Sequence, residues 1–299
     1  MIHPKAQPRV VSIGEVLWDI LPSGPRLGGA PCNVAFHAAS LGASATLVSA
    51  VGDDPLGHQA LSSLRSRHID VRPVAVVPGV PTGTVNVELD PEGQPSFRII
   101  PDVAWDQIEA SDIALESVAS ADAICFGTLA QRTVAARGAI TRLLSSAHPR
   151  ALRVLDVNLR PPFRAPDVIE DSLRLCSALK LNEDELLVLG AQFGLKGTPR
   201  EKVAQVASAF GLNAVALTMG GSGAGLWLDG HWLTRPAPRI DVMDSIGAGD
   251  AFTATLIRGL LGAWAPDVLL EHAIDVAAFV CTEHGATPLL PEHLRNDPK

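Results

Sequence analysis

Asp250 closes the stretch "DSIGAGD" and stands directly before an apolar run, "AFTATLIRGL". A helix start attracts anions, because its first amide N–H groups have no intrahelical acceptor and its dipole is positive there. Gly247, Ala248 and Gly249 carry almost no side chain, so an anion could approach their amides closely, and a helix running from about Ala248 would aim its positive end at it. A carboxylate one residue further on could take the proton of an attacking hydroxyl. A general base beside an amide anion hole is the equipment of phosphoryl transfer: the nucleophile is oriented and deprotonated while donors hold the charge of the migrating group. The same four residues also suit a plain turn with a capping Asp, and residue types alone leave both readings open.

Asn182 and Glu185 in "KLNEDEL" are three apart at a helix start and share a face. An amide plus a carboxylate suits a hard cation held partly through water, and equally a solvated helix N-terminus with three acids. In "TMGGSGAG", Thr218 ends an apolar run, and Gly220, Gly221 and Gly223 permit a tight turn. Other nucleotide motifs are excluded by residue. There is no G-x-x-x-x-G-K-[ST], and "GAGDAF" puts Phe252 where a dinucleotide fingerprint has its third small residue, too near the C-terminus for a βαβ half to follow. Nine histidines and four cysteines (Cys32, Cys125, Cys176, Cys281) show no zinc-ligand spacing, and the thiols read as reduced and mostly buried.

The elements that must position these residues are those of an α/β chain. Its 299 residues are 47% hydrophobic and 19% charged, enough to bury a substantial core. The net charge of -8 and the absence of a Lys/Arg cluster argue against nucleic acid as a partner. No apolar run reaches the roughly 18 residues of a membrane span, and no signal-peptide segment opens the chain, so a cytoplasmic location is expected. "RVVSIG", "ATLVSAVG", "ADAICFG", "LRVLDVN", "ALKLN" and "AVALTMG" predict buried strands. They alternate with "PCNVAFHAASLG", "DPLGHQALSSLRSR", "QRTVAARGAITRLLSS" and "EKVAQVASAFG", which have helical spacing, the signature of βαβ units and a parallel sheet. Residues 15–29 and 82–100 break the pattern. In the second, Thr82, Thr84, Asn86 and Glu88 alternate with Val85, Val87 and Leu89 before a "DPEGQP" turn, as in an antiparallel sheet with one wet face. Such a sheet is well placed to act as a lid over a cleft, or to be an ordinary edge hairpin.

"DSIGAGDAFTATLIRGL", with "GGAPCNVAFHAASLGASATLVSAVGDDPLG" at 28–57, resembles the two signatures of the PfkB/ribokinase family of carbohydrate kinases, over nearly the whole chain. The resemblance implies a single ribokinase-like domain over residues 1–299: a three-layer αβα fold with a central mostly parallel sheet and a small β lid formed by segments about 15–29 and 82–100. It implies an ATP-dependent kinase with Asp250 as general base and the amides of Gly247, Ala248 and Gly249 as anion hole. By the same resemblance Asn182 and Glu185 belong to the Mg2+ and phosphate region, holding the ion through water, and Thr218, Gly220, Gly221 and Gly223 contact the nucleotide. Ser245 replaces the usual Thr and keeps a hydroxyl. Asp244 either fixes the loop or joins a monovalent-cation (K+) site, as in some relatives.

On the acceptor side, Asp19, Gly28, Gly29 and Asn33 match positions that meet the sugar in fructokinase-like members. A carboxylate can accept from two adjacent hydroxyls, and glycines let backbone come near them. Asn33 could instead serve its own helix terminus. Arg98 and Arg160 are candidates for hydroxyls or phosphate, since guanidinium is a planar multi-donor fork. Val157 stands where the family has proline in D-P-N-x-R. "GE-x-L-W-D", "GGAP-x-N" and "D-x-N-x-R" together resemble fructokinases, which implies transfer to D-fructose giving the 6-phosphate. The alternatives are another keto-sugar such as 2-keto-3-deoxygluconate, held through Arg98 or Arg160, and a catalytically silent sugar- or nucleotide-binding regulator. Small-molecule sugar and ATP are the implied partners, with a homodimer through the lid left open.

Overall fold

The computed structural model describes residues 7–21, 24–89 and 95–298. Its strands are β1 (Arg9–Ile13), β2 (Leu17–Leu21), β3 (Gly24–Gly28), β4 (Ser44–Gly52), β5 (Val74–Val77), β6 (Gly83–Leu89), β7 (Pro95–Ile99), β8 (Ala123–Gly127), β9 (Leu152–Asp156), β10 (Ala178–Asn182), β11 (Ala214–Thr218), β12 (Ala224–Leu228) and β13 (His231–Arg235). The helices are α1 (Ala30–Ser40), α2 (Pro55–Ser66), α3 (Asp112–Ala119), α4 (Val134–Ser145), α5 (Pro166–Leu175), α6 (Glu183–Phe193), α7 (Pro199–Phe210), α8 (Ala248–Leu261), α9 (Pro266–Cys281) and α10 (Glu292–Arg295).

Nine strands form one sheet in the order β13-β12-β11-β10-β9-β8-β1-β4-β5. The pairings from β11 to β5 are parallel, and β12 and β13 add an antiparallel edge. Each of the six predicted buried strands is present in this sheet. Their residues alternate between two helical layers. Val11, Ile13, Leu155, Leu179, Leu181, Val215 and Leu217 pack with α3 to α7, whereas Val10, Val154, Ala178 and Ala214 face the layer that holds α1, α2, α8 and α9. On that second face Ala178, Ala214 and Ala216 are small, so α8 packs low over the sheet. Parallel strands covered on both sides read as continuous apolar runs, which is why they stand out in the sequence.

The remaining strands form a separate sheet, β3-β2-β6-β7. Here the antiparallel expectation is corrected in part. β2/β3 and β6/β7 are antiparallel hairpins, but β2 and β6, which join them, are parallel. The reason is connectivity: β2 follows the C-terminal end of β1, β6 follows the C-terminal end of β5, and β1 and β5 run the same way through their parallel pairings with β4. Both hairpins therefore leave one edge of the large sheet in one direction. Thr82 precedes β6 and is not on a wet face. It is buried, its hydroxyl donates to Asp54 at 2.7 Å and accepts from the Gly52 amide at 2.9 Å. The expected "DPEGQP" turn falls on residues 90–95, of which 90–94 lie outside the described residues.

Register brings the C-terminal ends of the central strands level. Gly127 pairs with Asp156, Asp156 with Lys180, and Asn182 with Thr218. The segments after β1, β8, β9, β10 and β11 thus emerge along one edge, the place where open α/β sheets bind ligands.

Candidate active site

α8 begins at Ala248, with Gly247 at its N-cap in the left-handed region, φ 83°. A Cβ on Gly247 would stand 2.4 Å from the Ala286 carbonyl oxygen and 2.5 Å from its Cα, so a side chain fits here neither by conformation nor by space. That carbonyl is itself held, because buried His37 on α1 donates Nε2–H to it at 2.9 Å. Burial pushes the His37 imidazole down to about 4, so it is neutral at physiological pH. No side chain caps α8, and of the three cradle amides only Ala248 makes a turn bond, a long 3.4 Å donation to the Ser245 carbonyl. First-turn amides with so few protein acceptors are available to an anion.

Asp250 lies in the first turn of α8. Its Oδ2 accepts from Asn33 Nδ2 at 2.8 Å, so Asn33 serves the carboxylate and not its own helix end. Although Asp250 is only half-buried by surface, the protein mass around its carboxyl removes hydration and raises it to about 7. The Asp156 carboxylate adds to this, and Asn33, Lys180 and Arg160 oppose it. A base of that strength is matched to neutral pH.

Beneath α8 lies a charged floor. Lys180 Nζ donates to Asp156 Oδ1 at 3.1 Å, and Thr253 Oγ1 on α8 donates to Asp156 Oδ2 at 2.7 Å and approaches the Gly249 carbonyl at 2.9 Å. Glu15, after β1, is buried, and its Oε1 accepts the Ala30 amide at the start of α1 at 3.2 Å. Burial, chiefly, raises it to about 7, and the Asp250 charge adds to this.

On the acceptor side, Asp19 on β2 is raised to about 6 by burial, against the pull of Arg160 and Arg26. Gly28 makes room for it: a Cβ at 28 would lie 2.7 Å from Asp19 Oδ2. Gly29, φ 103°, would press its Cβ within 2.4 Å of the Glu15 carbonyl oxygen. Exposed Arg160, after β9, acts electrostatically on Glu15, Asp19 and Asp250 alike. Arg98 is different. Asp19 pairs with Val85 and Val85 with Ile99, whereas Ile20 pairs with Asn86 and Asn86 with Arg98. Paired residues share a face and neighbours alternate, so Arg98 is on the opposite face of the small sheet from Asp19.

On the far side, Asn182 and Glu185 form a capping box at the start of α6. Asn182 Oδ1 accepts the Glu185 amide at 2.9 Å, and Glu185 Oε2 accepts the Asn182 amide at 2.8 Å. Glu185 Oε1 also accepts the Leu159 amide at 2.9 Å, which ties α6 to the segment that carries Arg160. Thr218 ends β11 beside Asn182, and Gly220–Ser222 make an exposed helical turn in which the Gly223 amide donates to the Gly220 carbonyl at 3.0 Å. Asp244 fixes its own loop, accepting from the Ile246 amide at 3.0 Å and the Gly285 amide at 3.1 Å, with Arg26 Nη1 3.7 Å away.

A pattern for pfkB family carbohydrate kinases matches residues 25–293. The chain belongs to the pfkB family. It is 30% identical over 308 residues to the putative sugar kinase PH1459 of Pyrococcus horikoshii, covering 96% of this chain and 94% of that one. The crystal structure of that uncharacterized sugar kinase in complex with ATP superimposes with a TM-score of 0.81 at 29% identity, covering 93% of this chain and 94% of the other. The fructokinase of Klebsiella pneumoniae is 30% identical over 302 residues, 93% of this chain and 95% of that protein. The 2-dehydro-3-deoxygluconokinase of Thermoproteus tenax is 27% identical over 271 residues, 89% and 82% of the two chains. The fold is ribokinase-like, with helices on both faces of the nine-stranded sheet.

In this pfkB kinase four buried polar residues escaped the sequence reading: Glu15, Asp156, Lys180 and Thr253. Glu15 and Asp156 stand inside the motifs "GE-x-L-W-D" and "D-x-N-x-R", whereas Lys180 and Thr253 show only as a charge or hydroxyl inside an apolar run, as in "ALKLN". Val157 proves a gain where a proline was expected: its amide donates to the Lys180 carbonyl at 3.2 Å, a bond proline cannot make.

Proposed function

We propose that this pfkB kinase transfers the γ-phosphoryl group of ATP to D-fructose, giving the 6-phosphate. One observation carries the reading: Asp250, oriented by Asn33, stands at the first turn of α8 beside amides that the protein leaves largely unused. In the reaction the sugar hydroxyl loses its proton to Asp250 as its oxygen bonds to the γ-phosphorus. The bond from that phosphorus to the bridging oxygen breaks, and ADP leaves with the electron pair. The amides of Gly247, Ala248 and Gly249 hold the phosphoryl charge in flight. The buried Asn33 Oδ1 has no hydrogen-bond partner among the described residues, so it is available to accept from a sugar hydroxyl, as is Asp19. The small sheet is the lid over this acceptor, and its outer face, with Ile20, Asn86 and Arg98, is the surface on which a second copy would pair.

Among the described residues no three His, Cys, Asp or Glu side chains are grouped to hold a metal ion. Glu185 is buried with both oxygens engaged by amides, so Asn182 and Glu185 fit a magnesium ion only through its water shell. Such an ion, carried on the ATP phosphates, would neutralise their charge. The Asp244 carboxylate is likewise taken by two amides, leaving only loop carbonyls for K+. Among the described residues no helix is long and apolar enough to cross a membrane, and we place the enzyme in the cytoplasm.

A second reading, transfer to 2-keto-3-deoxygluconate, draws on exposed Arg160 as a carboxylate partner. Its charge is already shared by Glu15, Asp19 and Asp250, which favours a neutral ketose. An ATP-coupled panel of sugars decides: fructose should give the highest kcat/KM, and a maximum on an acidic keto-sugar would replace it.

A further inference from the structure

We propose that Lys180 is a positioning residue for phosphoryl transfer, its buried ammonium forming the charged half of the anion hole beside Gly249, where Asp156 and Thr253 hold it. The inference rests on the kinase reading above.

β10 reads Ala178-Leu179-Lys180-Leu181-Asn182. Leu179 and Leu181 turn to the α3–α7 layer and Ala178 to the α8 layer, so the period of two sends Lys180 toward α8. It is 6% exposed. A buried ammonium is expensive, and a well-packed apolar pair of similar volume serves folding equally well or better. The surroundings explain why a cation stands there. Its Nζ donates to Asp156 Oδ1 at 3.1 Å, and the other oxygen of that carboxylate accepts from Thr253 on α8 at 2.7 Å. The Thr253 hydroxyl also lies 2.9 Å from the Gly249 carbonyl. A Cβ on Gly249 would come within 3.1 Å of Nζ, so the ammonium lies directly beside the cradle. The chain of contacts is continuous: strand cation, shared carboxylate, helix hydroxyl, cradle backbone. It fixes both the first turn of α8 and the place of a positive charge where the migrating phosphoryl group gathers negative charge. Neutralising Asp156 alone would not need Thr253.

The test uses the full chain with ATP and its best sugar from the panel. Lys180→Met removes the charge and strands Asp156. The double variant Lys180→Met with Asp156→Asn removes both charges while keeping an acceptor for Thr253, and a pair that serves only folding would there be restored. The inference expects the double variant to melt near the wild type, to keep its KM for ATP within about threefold, and to lose about 10²-fold in kcat, the size of losing one oxyanion donor. Recovery of kcat to within about threefold of wild type in the double variant would overturn it. Should both variants fail to fold, Thr253→Val decides. A kcat lowered about tenfold at unchanged KM for ATP supports the inference, and an unchanged kcat overturns it. A wild type inactive on every sugar refutes the kinase reading and this inference with it, whereas an active wild type with an active double variant refutes the inference alone.

Discussion

Two buried ion pairs in this molecule are built in opposite ways. Arg132 and Asp106 meet through two bonds, Nε to Oδ1 at 2.6 Å and Nη2 to Oδ2 at 2.7 Å. The guanidinium stacks 3.8 Å from the Trp105 ring centroid and 4.7 Å from that of Phe163, and Nη2 also donates to the Ile100 carbonyl at 2.8 Å. One cation meets one anion, aromatic rings stack on the guanidinium, and the unit fastens the chain leaving β7 to the body. Lys180 and Asp156 share a single 3.1 Å contact, with Glu185 and Asp250 also in the field of the same ammonium. The first pair is bidentate, though Arg132 Nη1 has no hydrogen-bond partner among the described residues. The second sits in a surplus of acid, which adds to the burial that chiefly raises Asp250 and Glu15. A bidentate, ring-stacked pair is equipment for holding a fold; a loosely matched one among extra carboxylates handles protons and charged ligands.

The comparison can be broken by mutation, beginning where the effect is largest. Asp250→Asn should lower kcat by about 10² or more with the KM for ATP little changed, and unimpaired turnover would remove the acid-rich region from the chemistry. Arg132→Met should leave the Asp106 carboxylate buried without its cation and cost about 3–5 kcal/mol in urea denaturation; a loss below about 1 kcal/mol would show that the bidentate pair is not structural. Gly247→Ala, forced into positive φ against Ala286, should cost about 1–2 kcal/mol and depress kcat more than it depresses the melting temperature. The pH dependence should divide the regions too. As the proposed base Asp250 would work deprotonated, and it is raised to about 7, so kcat/KM should climb as pH passes through 7, and a limb near pH 4 would contradict its surroundings. The smallest effect is on stability. Glu15 is raised from 4.5 to about 7 in the fold, so the folded state binds the extra proton. Its contribution is full below pH 4.5 and is lost as pH rises through 7. Glu15→Gln should therefore narrow the difference in melting temperature between pH 5 and pH 8.

Local pattern revealed the large sheet and the start of α8, because buried parallel strands and a glycine turn before an apolar helix are contiguous signals. That Arg98 and Asp19 lie on opposite faces of the small sheet was not legible, for a different reason. Alternation tells that neighbours take opposite faces but not which face meets the body, and that phase was settled by pairing with β2. The charged floor was invisible as a unit, since Asp156 lies 24 residues from Lys180 and 97 from Thr253. A charged residue amid apolar neighbours is a local oddity until the fold supplies its partner. Asn33 and Asp250, 217 residues apart, were each singled out, yet the bond between them has no sequence signature. The same holds for Asn182 and Glu185, whose spacing suits a capping box and a cation site equally well.

The three alanines on the α8 side of the sheet bear on how this catalyst can change. At these three positions no strand side chain is larger than a methyl, so the helical layer packs close to the sheet there. A valine at 178, 214 or 216 would tilt the helix like a shim under one leg of a table, moving the base away from its alcohol although every residue of the reaction centre stayed the same.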